Sequence, residues 1–154
     1  MPVALVTGAS RGIGREVARQ LADRDYDVIL TARNEQKARV AAEEIGARAL
    51  QLDVADPGSI GRAASEVTEL DVLVNNAGIV IDGGVSGNEP DFDAIARTLE
   101  TNFYGAYRVT VALLPVLRRS AHPRIVNVSS GMGGVAEMGG WFPATASRRR
   151  PSTQ

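Results

Sequence analysis

The chain contains no cysteine and a single histidine, His122. The first absence excludes disulfides, thiolate metal sites and a cysteine nucleophile. The second argues against a histidine-built metal centre. Lysine is almost as scarce. Of 17 basic residues only Lys37 is a lysine and the rest are arginines, a bias that, with abundant alanine, suggests a GC-rich gene. Charge of one sign is also missing: the formal net charge is −1, so no overall basic field draws in nucleic acid or an acidic membrane. Met1 leads straight into "PVALVTG", with no basic leader and no long apolar run, so a cytoplasmic protein without a membrane span is expected.

What is present fits one domain. The 154 residues are 44% hydrophobic and 23% charged, enough apolar chain for a real core and not the composition of a disordered segment. "VALVTG" is a short β-branched run ending in glycine and reads as a buried strand. "GREVARQLADR" follows with Val17, Ala18 and Leu21 at helical spacing. "YDVILTAR" gives a second strand, then "NEQKARVAAEEIG" a helix with Asn34 as N-cap and Gly46 as its stop. "ARALQLDV" is a third strand, and "DPGSIGRAASEVTEL" a helix capped by Asp56 with Pro57 at its first position. "DVLVNNAG" is a fourth strand. One long helix is expected from Asp91 through "IARTLETNFYGAYRVTVALLPVLRRS", and "PRIVNVSS" is a fifth strand. Alternating elements with continuously apolar strands call for an α/β fold, a doubly wound parallel sheet of Rossmann type covered on both faces. In such a sheet ligands sit at the C-terminal strand ends, near the switch point.

The chemistry-bearing residues fall at those ends. In "TGASRGIG", residues 7–14, Gly8 permits a sharp turn, while Gly12 and Gly14 permit close approach of a ligand and close packing of the helix. The new helix then offers free N–H groups to an anion such as a pyrophosphate. The spacing is TGxxxGxG, not the commoner GxGxxG, and a packing turn would read the same way. "LDV" ends the third strand, "NNAG" the fourth and "NVSS" the fifth, with Asn102 in the helix between the last two.

In these motifs and their order, over residues 3 to about 140, the chain resembles the short-chain dehydrogenase/reductase family, and "VNVSSGMGG" is most similar to the branch of plant- and animal-type carbonyl reductases. The resemblance implies hydride transfer between NADP(H) and a small carbonyl or alcohol substrate. It implies that residues 7–14, including Ser10, Arg11 and Ile13 with the glycines, cradle the cofactor phosphates. Asp53 would accept from the adenine amino group beside the Val54 backbone, with a simple turn cap as the lesser alternative. Asn76, Ala77 and Gly78 would line the adenine ribose and its neighbour. Asn102 would support a water relay, and Ser130 would orient the substrate carbonyl. Ser129 competes for that place, and the spacing to Gly133 favours Ser130. The second strand ends "ILTARN" with no carboxylate to hold a ribose 2′-hydroxyl. Arg33 there, and Arg11 in the glycine loop, could grip a 2′-phosphate, so NADP (NADPH) is favoured over NAD. Either arginine could instead be a solvated surface charge.

One part of the family's equipment is missing. The resemblance calls for a Tyr-xxx-Lys pair roughly a dozen residues beyond the serine, whose lysine lowers the tyrosine pKa. Tyr26, Tyr104 and Tyr107 all precede Ser130, and Lys37 lies on the second helix. Residues 141–154 are expected to be an aberrant, disordered tail following a partial NADP-binding domain over 1–140. Synonymous codons for residues 144–153, read from the last base of the Ala144 codon, can spell Tyr-Arg-Ile-Ser-Lys-Thr-Ala-Leu-Asn, which is the family's sequence here. That compatibility points to a frameshift; a genuine basic tail is the alternative. An incomplete sheet of about five strands would leave the fifth strand as an open edge and the long helix short of apolar cover, which predicts a marginal, aggregation-prone or partner-dependent fold. Such a chain would turn over little or no substrate. The rival class is a non-catalytic dinucleotide-binding module, and a sugar epimerase would also need the tyrosine and a larger substrate domain.

Overall fold

A computed structural model of the chain describes residues 1–81 and 91–130. The tail at 141–154 and Gly133 therefore lie outside the described residues. Five strands form one parallel sheet: β1 (Val3–Val6), β2 (Asp27–Ala32), β3 (Arg48–Gln51), β4 (Val72–Asn75) and β5 (Arg124–Asn127). Their spatial order is β3-β2-β1-β4-β5. The chain thus builds outward from β1 in one direction, returns, and builds outward in the other, which is the doubly wound arrangement expected. The reversal places the switch point between β1 and β4, where Ala4, Leu5 and Val6 pair with Val72, Leu73 and Val74.

The helices start where their polar caps place them. In α2 (Glu35–Glu43) the Asn34 side chain accepts from Lys37 N–H at 2.9 Å. In α3 (Pro57–Glu66) Asp56 accepts from Gly58 N–H at 2.8 Å, ahead of Pro57. In α4 (Phe92–Leu99) Asp91 accepts from Ala94 N–H at 2.9 Å. Each of these bonds satisfies a backbone donor that the helix itself cannot.

Alternate side chains of the central strands feed two cores. Val3, Leu5, Ile29 and Leu73 point to the face covered by α3 and α5 (Ala106–Leu117), where they meet Ile60, Val109, Leu113 and Leu117. Val6, Val28, Leu30 and Val74 point the other way, against α1 (Gly12–Ala22) and α2. Those helices present mainly small residues, among them Ala18, Ala38, Ala41 and Ala42, so they press their backbones close to the sheet.

The structure corrects two expectations. The strands are not all continuously buried. β1, β2 and β4 are, but β3 is exposed in its first half; β5, expected as an open edge, is exposed along its whole length, with Ile125 43% and Val126 46% exposed. Both are edges of the described sheet, and an edge strand has apolar neighbours on one side only. Nor is the helix from Asp91 a single α-helix. Between α4 and α5 the chain widens into a π-type turn at Glu100–Gly105, a local insertion that hydrophobic periodicity does not reveal. Along this segment Phe92, Phe103 and Tyr107 are exposed by 73%, 61% and 65%. No helix among the described residues is long and apolar enough to cross a membrane.

At the other end of the sheet Asp71 ties three segments together. Its carboxylate accepts from the Val3 N–H at 2.7 Å and from the Ser120 hydroxyl at 2.5 Å. The Ser120 hydrogen bond, then that of Val3, holds its pKa below the ordinary carboxylate value against partial desolvation, and the N-terminal amine and His122 add a weaker pull. A carboxyl whose pKa is depressed in the fold stabilises it above the unfolded value of about 3.9, and the contribution is lost as pH falls through the folded value. Asp71→Asn is expected to cost about 1 kcal/mol in urea denaturation at pH 7. The gap between wild type and variant should narrow below about pH 4; a gap that stays constant down to pH 3 would exclude this role for the charge.

Candidate functional site

The predicted residues of the glycine turn and of the "NNAG" segment meet where β1 and β4 separate. Thr7, buried at the end of β1, is the centre of the arrangement. Its Oγ1 accepts from the backbone N–H groups of both Asn76 and Ala77 at 2.9 Å. The Asn76 side-chain amide returns the contact, donating to the Thr7 carbonyl at 2.9 Å and the Gly8 carbonyl at 3.2 Å. The glycine turn and the "NNAG" segment are therefore one hydrogen-bonded unit. Ala9 N–H adds a bond to the Thr31 carbonyl at 2.8 Å, tying the same loop to β2.

That packing leaves no room for side chains at two glycines. Gly8 has φ +65°, and a Cβ there would stand 2.8 Å from the Ala77 Cα. A Cβ on Gly14 would collide with the Asn76 side-chain amide and lie 2.9 Å from the Gly8 carbonyl oxygen. Gly14 packs closely as predicted, against Asn76, and Gly8 has the left-handed backbone of the predicted sharp turn with Ala77 against it, whereas a Cβ on Gly12 would meet nothing within 4 Å.

The N-terminus of α1 differs from those of α2, α3 and α4. Its N-cap residue is Arg11, whose side chain makes no capping bond, and no acidic residue lies in the first turn. The free N–H groups that Asn34, Asp56 and Asp91 satisfy elsewhere are left facing outward here. Together with the positive end of the helix dipole they make a seat for an anion. Arg11 and Arg33 are both exposed, on the loop after β1 and at the end of β2, so the structure brings both predicted arginines to this edge.

Asp53 follows the end of β3. One of its carboxylate oxygens accepts from Ala55 N–H at 3.0 Å, the turn-capping bond foreseen as the alternative to ligand binding. Its own N–H donates to the Ser59 hydroxyl at 2.9 Å. Val54 is buried beside it, packed against Gly105. Asn102, on the π-type turn, donates from Nδ2 to the Ile79 carbonyl and accepts at Oδ1 from the Ile79 N–H, both at 2.8 Å. Its side chain is a two-point clamp on the segment after Gly78. Ser129 and Ser130 lie just beyond β5, exposed.

Two features escaped the sequence reading. Thr7 was one residue of the loop, without its role as acceptor for β4. Asn75, buried at the end of β4, donates to the Thr110 hydroxyl at 3.0 Å and to Asn127 Oδ1 at 2.9 Å. It thereby joins β4, β5 and α5, while its own Oδ1 is buried without a partner among the described residues. The paired asparagines of "NNAG" were the available signal, since adjacent strand-end residues point to opposite faces. Among the described residues no cluster of histidine and carboxylates could hold a metal ion. A polar hollow lined by Thr68, Glu69, Asp71, Arg119 and Ser120 lies at the opposite edge of the sheet and contains none of the predicted site residues.

The pattern of the short chain dehydrogenase family matches residues 2–147. The chain belongs to that family. It is 41% identical to a (+)-neomenthol dehydrogenase of Arabidopsis thaliana, over 84% of this chain and 54% of that protein. It is 42% identical to carbonyl reductase (NADPH) 3 of Mus musculus, over 85% of this chain and 50% of that one. Among solved structures, a metagenomic short-chain oxidoreductase in complex with NADP superposes with a TM-score of 0.75 at 33% identity, covering 84% of this chain and 62% of that one. The chain thus spans about half the length of the curated relatives it matches. The sheet, with its switch point between β1 and β4, is the Rossmann-type arrangement these relatives share.

Thr7→Val keeps the shape of the side chain and removes both acceptor bonds, leaving the Asn76 and Ala77 N–H groups unpaired. A loss of about 2–4 kcal/mol is expected from two such groups, measurable by urea denaturation, whereas Thr7→Ser should stay within about 1 kcal/mol of wild type. A larger loss in Thr7→Ser than in Thr7→Val would show that the methyl group matters and not the hydroxyl.

Proposed function

We propose that the chain carries the dinucleotide-binding half of an NADP(H)-dependent reductase that acts on a ketone or aldehyde. The observation that carries this reading is the uncapped N-terminus of α1, set against the Thr7–Asn76 unit and flanked by Arg11 and Arg33. Backbone N–H groups there would hold the pyrophosphate. Arg33 and Arg11 would take the 2′-phosphate, which no carboxylate at the end of β2 repels. Asp53 and Val54 would meet the adenine, and Asn76, Ala77 and Gly78 the adenine ribose and its neighbour. Asn102 would support a water relay from the π-type turn, and Ser130 would orient the substrate carbonyl. NADPH, when bound, supplies the hydride. The names of the mouse relative, with its NADPH, and of the NADP-bound solved relative support the choice of cofactor.

The Tyr-xxx-Lys pair that the family resemblance calls for, to give a proton to the developing alkoxide, does not occur in this sequence. Every tyrosine precedes Ser130 and the one lysine is on α2. We therefore read this chain as a reductase by ancestry that binds cofactor without turnover. That same arrangement favours the second reading, a non-catalytic dinucleotide-binding module. The tail at 141–154, read as a shifted frame, would account for the missing pair.

The two readings share a binding prediction and part on chemistry. NADPH should bind more tightly than NADH in a fluorescence titration, and Arg33→Ala should erase about tenfold of that preference, the worth of charge-assisted contacts to one phosphate. The chain itself should not oxidise NADPH with simple ketones or aldehydes. A version carrying the shifted-frame Tyr-Arg-Ile-Ser-Lys segment and its continuation should do so if the ancestry is that of a reductase. Tighter binding of NADH than NADPH would overturn the cofactor assignment. An inert restored protein would favour the binding module.

A further inference from the structure

The ladder between β2 and β3 ends at the pair Ala32–Gln51, followed by one last bond from Leu52 N–H to the Ala32 carbonyl at 3.0 Å. The next carbonyl on β2 is that of Arg33, and no backbone donor reaches it from β3. The Gln51 side chain does: its Nε2 donates to the Arg33 carbonyl at 3.1 Å. The amide acts as one additional rung, made by a side chain where the backbone ladder has run out. Its other end is also held. The Ser59 hydroxyl, fully buried at the start of α3, donates to Gln51 Oε1 at 3.1 Å and accepts from the Asp53 N–H at 2.9 Å.

We infer that Gln51 and Ser59 are positioning residues for cofactor selection: through this relay they fix the backbone of Arg33 relative to Asp53, and so the 2′-phosphate contact relative to the adenine contact. The inference rests on the reading of Arg33 and Asp53 as cofactor contacts. Its physical content is geometric. Arg33 is exposed and its guanidinium ends a long flexible side chain, so its reach toward a phosphate is set by where its backbone is pinned. Without the Gln51 rung, the backbone ladder still holds β2 as far as Ala32, but the Arg33 carbonyl beyond it loses its bond from β3. Ser59 is the shared anchor because its one hydroxyl serves both branches, donating to the Arg33 branch and accepting from the Asp53 branch. Gln51 serves the first branch alone.

That asymmetry makes the relay testable with two small probes that differ only in the 2′-phosphate, adenosine 2′,5′-bisphosphate and 5′-AMP, titrated calorimetrically against the chain. Gln51→Met keeps length and bulk and removes both hydrogen bonds. It should weaken the bisphosphate roughly tenfold while leaving 5′-AMP within about twofold. Ser59→Ala should weaken both probes. In an Arg33→Ala background, Gln51→Met should cause no further loss of preference, since the two then act on one contact. Equal weakening of both probes by Gln51→Met would mean a general structural role and overturn the proposal. So would an undiminished effect in the Arg33→Ala background, or no effect at all. If the unmutated chain holds both probes equally, the NADP reading itself fails and takes the relay with it, a result told apart by being visible before any Gln51 variant is made.

Discussion

Everything at the C-terminal edge of this sheet hangs on a hydroxyl and an amide. Thr7 Oγ1 takes the two N–H groups that β4 presents as it leaves the sheet, and the Asn76 amide takes the two carbonyls that β1 presents as it does the same. At a switch point neighbouring strands lead into helices on opposite faces, so their ends diverge and their backbone groups lose their ladder partners. Four such groups are satisfied here by two side chains. The glycines follow from that arrangement, because once Asn76 and Ala77 are drawn in, no side chain fits at Gly14 or Gly8.

Much of this was legible beforehand because the signals are local. The caps Asn34 and Asp56 act on residues two or three positions away, and a capping pattern is visible in any stretch of sequence that long. The apolar strands β1, β2 and β4 announce themselves for the same reason. Gly8 and Gly14 were legible as requirements, though their partners were not. What escaped depends on residues distant in the chain. Nothing near Thr7 shows that it meets Ala77, and nothing near Asn75 shows that Thr110 and Asn127 share its amide. The β3 edge was misjudged on similar grounds: "ARALQLDV" is apolar enough for an interior strand, and only its place in the strand order reveals that its first half is exposed.

The π-type turn belongs with these hidden features. Its effect is to shift everything after Leu99 around the helix axis, so the residues of α5 meet the sheet in a register that α4 would not have delivered. The turn carries Asn102, whose clamp on Ile79 holds the chain just past "NNAG", and Gly105, which lies directly on Val54. One distortion of a helix thus reaches both the adenine side of the proposed site and the segment leading from it.

The strand order also has a consequence in time. β1 is made first and lies in the middle, β2 and β3 are laid down on one flank, and the other flank stays bare until β4 arrives. The bond from Asn76 to Thr7 joins residues 69 positions apart, and closing a loop of that length costs entropy that only the finished contact repays. A growing chain can therefore gather β1, α1, β2 and α2 into a partial layer while its glycine turn has only one wall. The proposed nucleotide seat, which lies in the turn after β1, is among the last places in the first eighty residues to acquire a shape.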